Sequence, residues 1–241
     1  MRALAVTCQI PSRGAAAVPS CSARPRLAPL PAHRQHRHER QHRWRTQAAT
    51  VDQASTSAAP AATQEQDEEL ALLQGVVAGT ELEGAVLTLA YDAQRDGWSA
   101  EAFHSGVDGR GPALMVALTA GGALVGGYNP IGWTGQGGDS ASEGAFLFFL
   151  DEGSAAPVKL PKVGGPDQAI LRDQPGHGIW FADALVVPLA PGKERAVRSK
   201  LGAFYARKPS TARHLYAEGA PVKGGARGTE LASLHVWVAA A

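Results

Sequence analysis

The chain has 241 residues, 44% hydrophobic and 19% charged, with 28 Gly and 16 Pro, a globular composition rather than a fibrous or wholly disordered one. Its net charge of +1 hides an asymmetry: nine Arg and one acid, Glu39, fall in residues 1–50, leaving 14 Lys+Arg against 21 Asp+Glu, a net of −7, in residues 51–241. An acidic domain has the wrong sign of charge for nucleic acid, and the longest apolar runs, such as Ala184–Ala190 and Ala145–Leu150, fall far short of the roughly 20 residues a membrane-crossing helix needs.

Residues 1–50 open Met-Arg-Ala-Leu-Ala-Val and are rich in Ala, Arg, Pro and Ser, with no Lys. That is the composition of an organelle transit peptide; a secretory signal needs a longer continuous apolar core than Arg2–Ile10 supplies. Prolines at 11, 19, 25, 29 and 31 oppose the uninterrupted amphipathic helix of a mitochondrial presequence. The expected destination is therefore the chloroplast, with the mitochondrion as the alternative. His33–Arg45 is a basic, His-rich tract of a kind that can bind nucleic acid or metal, but its place inside the acid-poor leader favours an unfolded targeting segment. Residues 51–64 are mostly Ala, Thr, Ser, Gln and Pro, with one acid, Asp52, and read as a disordered linker. Both cysteines, Cys8 and Cys21, lie in the leader. Once it is removed, thiolate, disulfide and cysteine-metal chemistry are excluded, and direct redox sensing would fall to Met115 or the aromatics.

Residues 65–241 read as one domain. Gln64–Val77 is predicted helical: Glu65, Asp67, Glu68 and Glu69 suit the positive end of the helix dipole, Leu70, Leu73 and Val77 recur at helical spacing, and Gly79 ends it. Gly84–Tyr91 is a strand. Ser99 caps a short helix carrying Glu101, Phe103 and His104. Ala113–Thr119 and Ala123–Tyr128 form a hairpin around Ala120–Gly122. Asn129–Gly144 is a long Gly-rich loop carrying Trp133, and Ala145–Leu150 is an aromatic-rich strand. Short strands are expected at Val158–Lys162, Ala169–Arg172 and Ala184–Leu189. Ser199–Arg207 is ambiguous between helix and loop, and Leu231–Ala239 is a core strand. Many short strands between Gly/Pro turns, with few short helices, predict an α+β, mainly β, fold: a two-sheet antiparallel β-sandwich flanked by short helices.

The site candidates carry two readings each. An imidazole near neutral pH serves proton transfer or metal ligation, so His104 is either such a residue or a structural histidine beside buried Phe103. Asp108 either orients it or caps the Asp108-Gly109 turn. Tyr128 and Trp133 supply either a packing cover or a binding surface. The Gly-rich loop matches neither a phosphate-binding nor a dinucleotide pattern, and no His-Glu-x-x-His or Gly-x-Ser-x-Gly motif is present. Lys193–Lys200 is a solvated basic face or a docking patch.

Several phrases, taken in order, resemble the TLDc family: Trp98-Ser99 then Phe103-His104; Asp108 with Gly111-Pro112; Gly126-Gly127-Tyr128 with Trp133; Ala145–Phe148; Phe181 and Asp183 before Ala184–Val186; Ser199–Gly202 with Tyr205; and Val236-Trp237. Tyr128–Trp133 is similar to a phrase of the plant forms. The chain departs from the pattern at Phe181-Ala182, where the family has Phe-Gly, and at Ser233–Trp237, where it has an acidic Glu-x-Glu-Val-Trp-like strand. The resemblance implies a helix-flanked β-sandwich without agreed catalytic residues, a link to oxidative-stress resistance, and in eukaryotic relatives binding to the vacuolar proton-pumping ATPase, a partner that transfers poorly to a plastid. The expectation is a non-catalytic interaction module with an unidentified protein partner and no cofactor or metal. Phe103, His104, Asp108, Gly127, Tyr128, Trp133 and Gly202 are its signature positions. An enzyme built around His104 and Asp108 is the alternative.

Overall fold

The computed structural model describes residues 69–150, 156–165, 167–210 and 212–241; the leader, the linker and the Asp151–Ala156 turn up to residue 155 lie outside them. Residues 69–77 form helix α1, which ends where Gly79 takes φ +77 and Thr80 N–H returns to the Val77 carbonyl (3.0 Å). There follow β1 (Leu87–Asp92), α2 (Ala93–Asp96), α3 (Ala100–Val107), β2 (Ala113–Thr119), β3 (Leu124–Asn129), β4 (Phe146–Phe149), β5 (Val158–Pro161), β6 (Ile179–Phe181), β7 (Leu185–Val187), β8 (Ala196–Ser199), β9 (Ala220–Val222), a 3-10 turn at Lys223–Gly225, and β10 (Ala226–Ala239).

Every pairing of these strands is antiparallel, and β10 joins the two halves. Its C-terminal half pairs β1 on one side and β2 on the other, and β3, β4 and β5 continue outward from β2. Its N-terminal half pairs β8 and β9, with β7 and β6 beyond β8. A register shift between Leu231 and Ser233 marks where the strand passes from one sheet to the other, as expected of a bulge that bends a strand.

Alternation along the strands assigns the two faces of the first sheet. Ala113, Met115 and Ala117 of β2, Val125 of β3, Leu147 and Phe149 of β4, and Leu234, Val236 and Val238 of β10 pack inward against Phe181, Leu185, Val187 and Val197 of the second sheet. Leu114, Val116, Leu118, Tyr128, Phe146, Phe148 and Trp237 point the other way and are covered by Leu73, Val76, Val77 and Leu82. Both faces of β2 are therefore buried, so its sequence is an unbroken apolar run rather than an alternating one. At ~1.5–3 kcal/mol for each fully buried large apolar side chain, the cover provided by α1 is a substantial part of the fold.

The hairpin, the Ser99 cap, the Gly-rich loop, β4 and β5 stand where the sequence places them. Ala169–Arg172 is a correction: only Ile170 bridges, to Ser140, and Gln168 and Arg172 have φ of 58° and 55°, incompatible with an extended strand. Within Lys193–Lys200 runs β8, with Val197 and Ser199 buried, so only its alternate residues form a solvated face. Ser199–Arg207 is loop beyond β8, with Tyr205 bridging Lys162.

Ala182 takes φ +48 while fully buried, in the turn that closes the β6–β7 hairpin. Left-handed backbone costs an L-residue roughly 1–2 kcal/mol and glycine almost nothing, which gives a physical reason for the family's glycine there. Ala182→Gly is expected to raise stability by about 0.5–1 kcal/mol after glycine's own entropic cost, read as an upward shift of the urea midpoint; an unchanged or lower midpoint would remove strain as the explanation.

Candidate functional site

Helix α3 begins where the Ser99 hydroxyl accepts the Ala102 N–H (3.1 Å). Ala100, Phe103, His104 and Val107 recur at helical spacing and form its buried face, so His104 is directed inward by the periodicity that buries Phe103. Asp108 is the C-cap, its N–H bonded to the His104 carbonyl (3.0 Å). The Asp108 side chain turns back: Oδ1 lies 2.8 Å from His104 Nδ1. Of the two readings of Asp108, the side chain takes the one that faces His104; the turn after it is closed by backbone, Arg110 N–H to the Val107 carbonyl (3.3 Å). On the other side of the ring, Nε2 lies 3.0 Å from the His177 carbonyl.

The Gly-rich loop closes over this pair. Asn129, fully buried, takes Ile131 N–H on its Oδ1 and donates from Nδ2 to the Gly132 carbonyl (2.7 Å), which turns the chain so that Trp133 enters the core. The Trp133 ring meets Phe103 edge-on at 5.2 Å and Phe181 at 6.0 Å, and only 1% of it is exposed. Of the two readings of the loop aromatics, the packing cover is the one observed: Tyr128 is also buried, stacked beside Phe146 on the α1 side of the sheet. Gly135 takes φ +64, and a Cβ there would collide with the Asp108 carboxylate, so glycine is needed where loop and carboxylate meet.

Asp173 ties the loop down. Its Oδ2 accepts Thr134 N–H and Oγ1–H, both at 2.9 Å, and its Oδ1 accepts Gly135 N–H at 3.1 Å. Its backbone exchanges hydrogen bonds with Gly137 and Gly138. Asp173 is buried and its Oδ1 stands 4.0 Å from His104 Nδ1. Nothing local in the sequence marks this residue; it lies between an irregular bridge and a Pro-Gly turn, and only the fold brings it to α3.

The other signature positions have structural reasons. A Cβ on Gly127 would stand 2.6 Å from the Phe181 ring, so this glycine lets the two sheets approach. Gly202, φ +101, turns the chain and bonds to the Tyr205 carbonyl, while Tyr205 donates to the Ala169 carbonyl and packs beside Phe181. Phe103, His104, Asp108 and Trp133 therefore form one cluster, joined by Gly127 through Phe181. Tyr128 and Gly202 lie outside it.

Chemically, the cluster is closed rather than poised. A backbone carbonyl can only accept, so Nε2 carries a hydrogen. Nδ1 then faces two carboxylates. A general acid or base needs a nitrogen within reach of substrate, and both nitrogens of His104 are engaged inside the protein.

A second polar cluster fastens α1. Glu69, 3% exposed, receives Trp237 Nε1–H on Oε1 (2.8 Å) and His235 Nδ1 on Oε2 (2.7 Å); Asp92 Oδ1 stands 3.8 Å from His235 Nε2. Burial alone would lower the His235 pKa; the hydrogen bond and charge of Glu69, with Asp92 behind, outweigh burial and the nearby Arg95, and hold it above its usual value.

Residues 67–179 match the family model described as the TLDc domain, just under half of the chain. The class the fold and cluster define is thus a helix-flanked β-sandwich with a loop-capped histidine–aspartate pair. The match, with the ordered phrases from Trp98 to Trp237, supports the TLDc family. No curated protein matches the chain.

The His235–Glu69 contact sets a pH dependence. The folded-state value lies above the ordinary 6.5, so the ion-pair contribution is complete below about pH 6.5 and is lost as pH rises through the folded value. His235→Gln, which keeps a neutral donor, is expected to cost about 1–2 kcal/mol at pH 6, with the gap from wild type narrowing by pH 9 in urea unfolding. A gap that does not change with pH would mean that charge contributes nothing there.

Proposed function

We propose that this protein is a non-catalytic, TLDc-type interaction module, imported into the chloroplast, that contributes to oxidative-stress resistance by binding a protein partner. The TLDc match over residues 67–179 carries the reading. It is supported by the enclosure of His104, whose two nitrogens are spent on Asp108 and the His177 carbonyl. The basic, acid-poor composition of residues 1–50 supports import, and the different ATPase of a plastid argues against the proton-pump partner of other relatives.

With Trp133 buried, the partner surface lies elsewhere. The exposed side of β8 is the better candidate. In a domain of net negative charge it gathers Arg195 against Trp98 (4.9 Å to the ring centre) and Arg198 against Trp180 (4.8 Å), the latter ring also carrying Arg172 (4.3 Å). Guanidinium groups stacked on indole present planar donors to carboxylates while burying little charge, and Arg198 already holds one such group, Asp183 Oδ1 at 3.3 Å, which suits an acidic partner segment.

The test images and affinity-purifies one tagged full-length protein, with the mature N-terminus read by mass spectrometry. Expected are plastid signal, cleavage between about residues 45 and 60, and a reproducible partner set that Arg195→Glu/Arg198→Glu loses at least tenfold. Cytosolic or vacuolar signal with proton-pump subunits and an intact Met1 would overturn the import reading, and partners unaffected by the charge reversal would place the surface elsewhere.

A further inference from the structure

We propose that His104, Asp108 and Asp173 form a binding site for one divalent first-row transition ion of the Zn2+ class, which fastens the Gly-rich loop to helix α3. The donors converge from two separate stretches of chain, the last turn of α3 and the segment before β6, and their ligand atoms all lie within 4.8 Å of one another. Two ligands of a tetrahedral ion at ~2.0–2.2 Å are about 3.3–3.5 Å apart. The distances from His104 Nδ1, 2.8 Å to Asp108 and 4.0 Å to Asp173, bracket that spacing, so the site closes around an ion by side-chain adjustment alone.

The hydrogen-bond pattern points to a cation. The His177 carbonyl takes the Nε2 side of the ring, which leaves Nδ1 turned toward two carboxylates, Asp108 at 2.8 Å and Asp173 at 4.0 Å. Three electron-rich groups then face one another, two of them in nearly buried residues, an arrangement that requires a positive charge between them.

The surroundings are those of a ligand set. Metal-binding histidines usually donate the other ring N–H to a carbonyl or carboxylate, and metal-binding carboxylates are themselves hydrogen-bonded. Here Nε2–H goes to the His177 carbonyl and Asp173 holds three donors from Thr134 and Gly135. Asp108 remains 27% exposed, so an ion can reach the carboxylate from solvent. One imidazole with two carboxylates favours Zn2+ and its first-row neighbours over Mg2+ or Ca2+, which prefer all-oxygen shells. The proposal is independent of the partner-binding reading, since a structural ion fits an interaction module and an enzyme equally.

The experiment measures Zn2+ binding and thermal unfolding of the full chain, metal-free and with Zn2+. The leader carries His33, His36, His38 and His42, so a variant with these four changed to Gln removes their contribution. In that variant one equivalent of Zn2+ is expected, with Tm raised roughly 5–10 °C at about 100-fold excess over Kd. Adding Asp108→Asn, at a partly exposed position chosen so that the domain still folds, should remove both the equivalent and the Tm rise; His104→Gln should do the same. Absence of any Tm rise in the leader variant, or a rise that persists with Asp108→Asn, overturns the site.

Discussion

Strand β10 is the constraint on which the architecture rests. Among the described residues it is the single stretch of backbone that belongs to both sheets, giving its N-terminal half to β8 and β9 and its C-terminal half to β1 and β2. A strand paired on both sides at Arg227–Gly228 and again at His235–Val238 cannot slip by one residue without turning Leu234, Val236 and Val238 out of the core. The register shift at Leu231–Ser233 is therefore a corner and not a defect: it lets one strand serve two sheets whose inner faces meet across Met115, Leu147, Phe181 and Leu185.

Two polar clusters are built onto this frame, one on each side of the first sheet. On the inner side His104, Asp108 and Asp173 join α3, the Gly-rich loop and the stretch before β6. On the outer side Glu69, His235 and Trp237 join α1 to β10. Each places one histidine against carboxylates where few waters can compete, so each link is strong when the charges balance and costly when they do not. Apolar contacts fill the volume in both places, while the polar groups decide which segment covers which face. The loop holding Trp133 and the helix holding Leu73 are both secured in this way, by side chains distant from them in sequence.

The sequence was legible where periodicity and turn chemistry act locally. Ser99 and the 100–103–104–107 spacing define α3, Ala120–Gly122 defines the hairpin, and continuous apolar runs mark β2 and β4. Pairing His104 with Asp108 needed only the i, i+4 geometry of one helical turn. Strands β6, β8 and β9 were not legible, because three or four residues hold too little periodicity and β8 sits within a basic run. Asp173 and Glu69 were missed for a different reason. Their roles depend on contacts 39 and 166 residues away, which local pattern cannot encode. Trp133 shows a third kind of gap: an aromatic in a Gly-rich loop has the same sequence whether it faces solvent or core, and here the side-chain bonds of Asn129 and the Thr134–Asp173 link turn it inward.

The departure from the family's acidic closing strand has a physical resolution in the same contacts. Where the pattern has carboxylates before Val-Trp, this chain has Ser233 and His235, yet a carboxylate still meets the tryptophan: Glu69 reaches Trp237 Nε1 from helix α1. In this chain the carboxylate comes from the helix that covers the strand, and His235 on the strand faces it at 2.7 Å. A carboxylate placed there is 3% exposed, with one oxygen bonded to His235 and the other to Trp237. It has no free face to offer a substrate or a partner. Whatever a solvent-facing acidic strand end does elsewhere, at this position the carboxylate's work is to dock a helix.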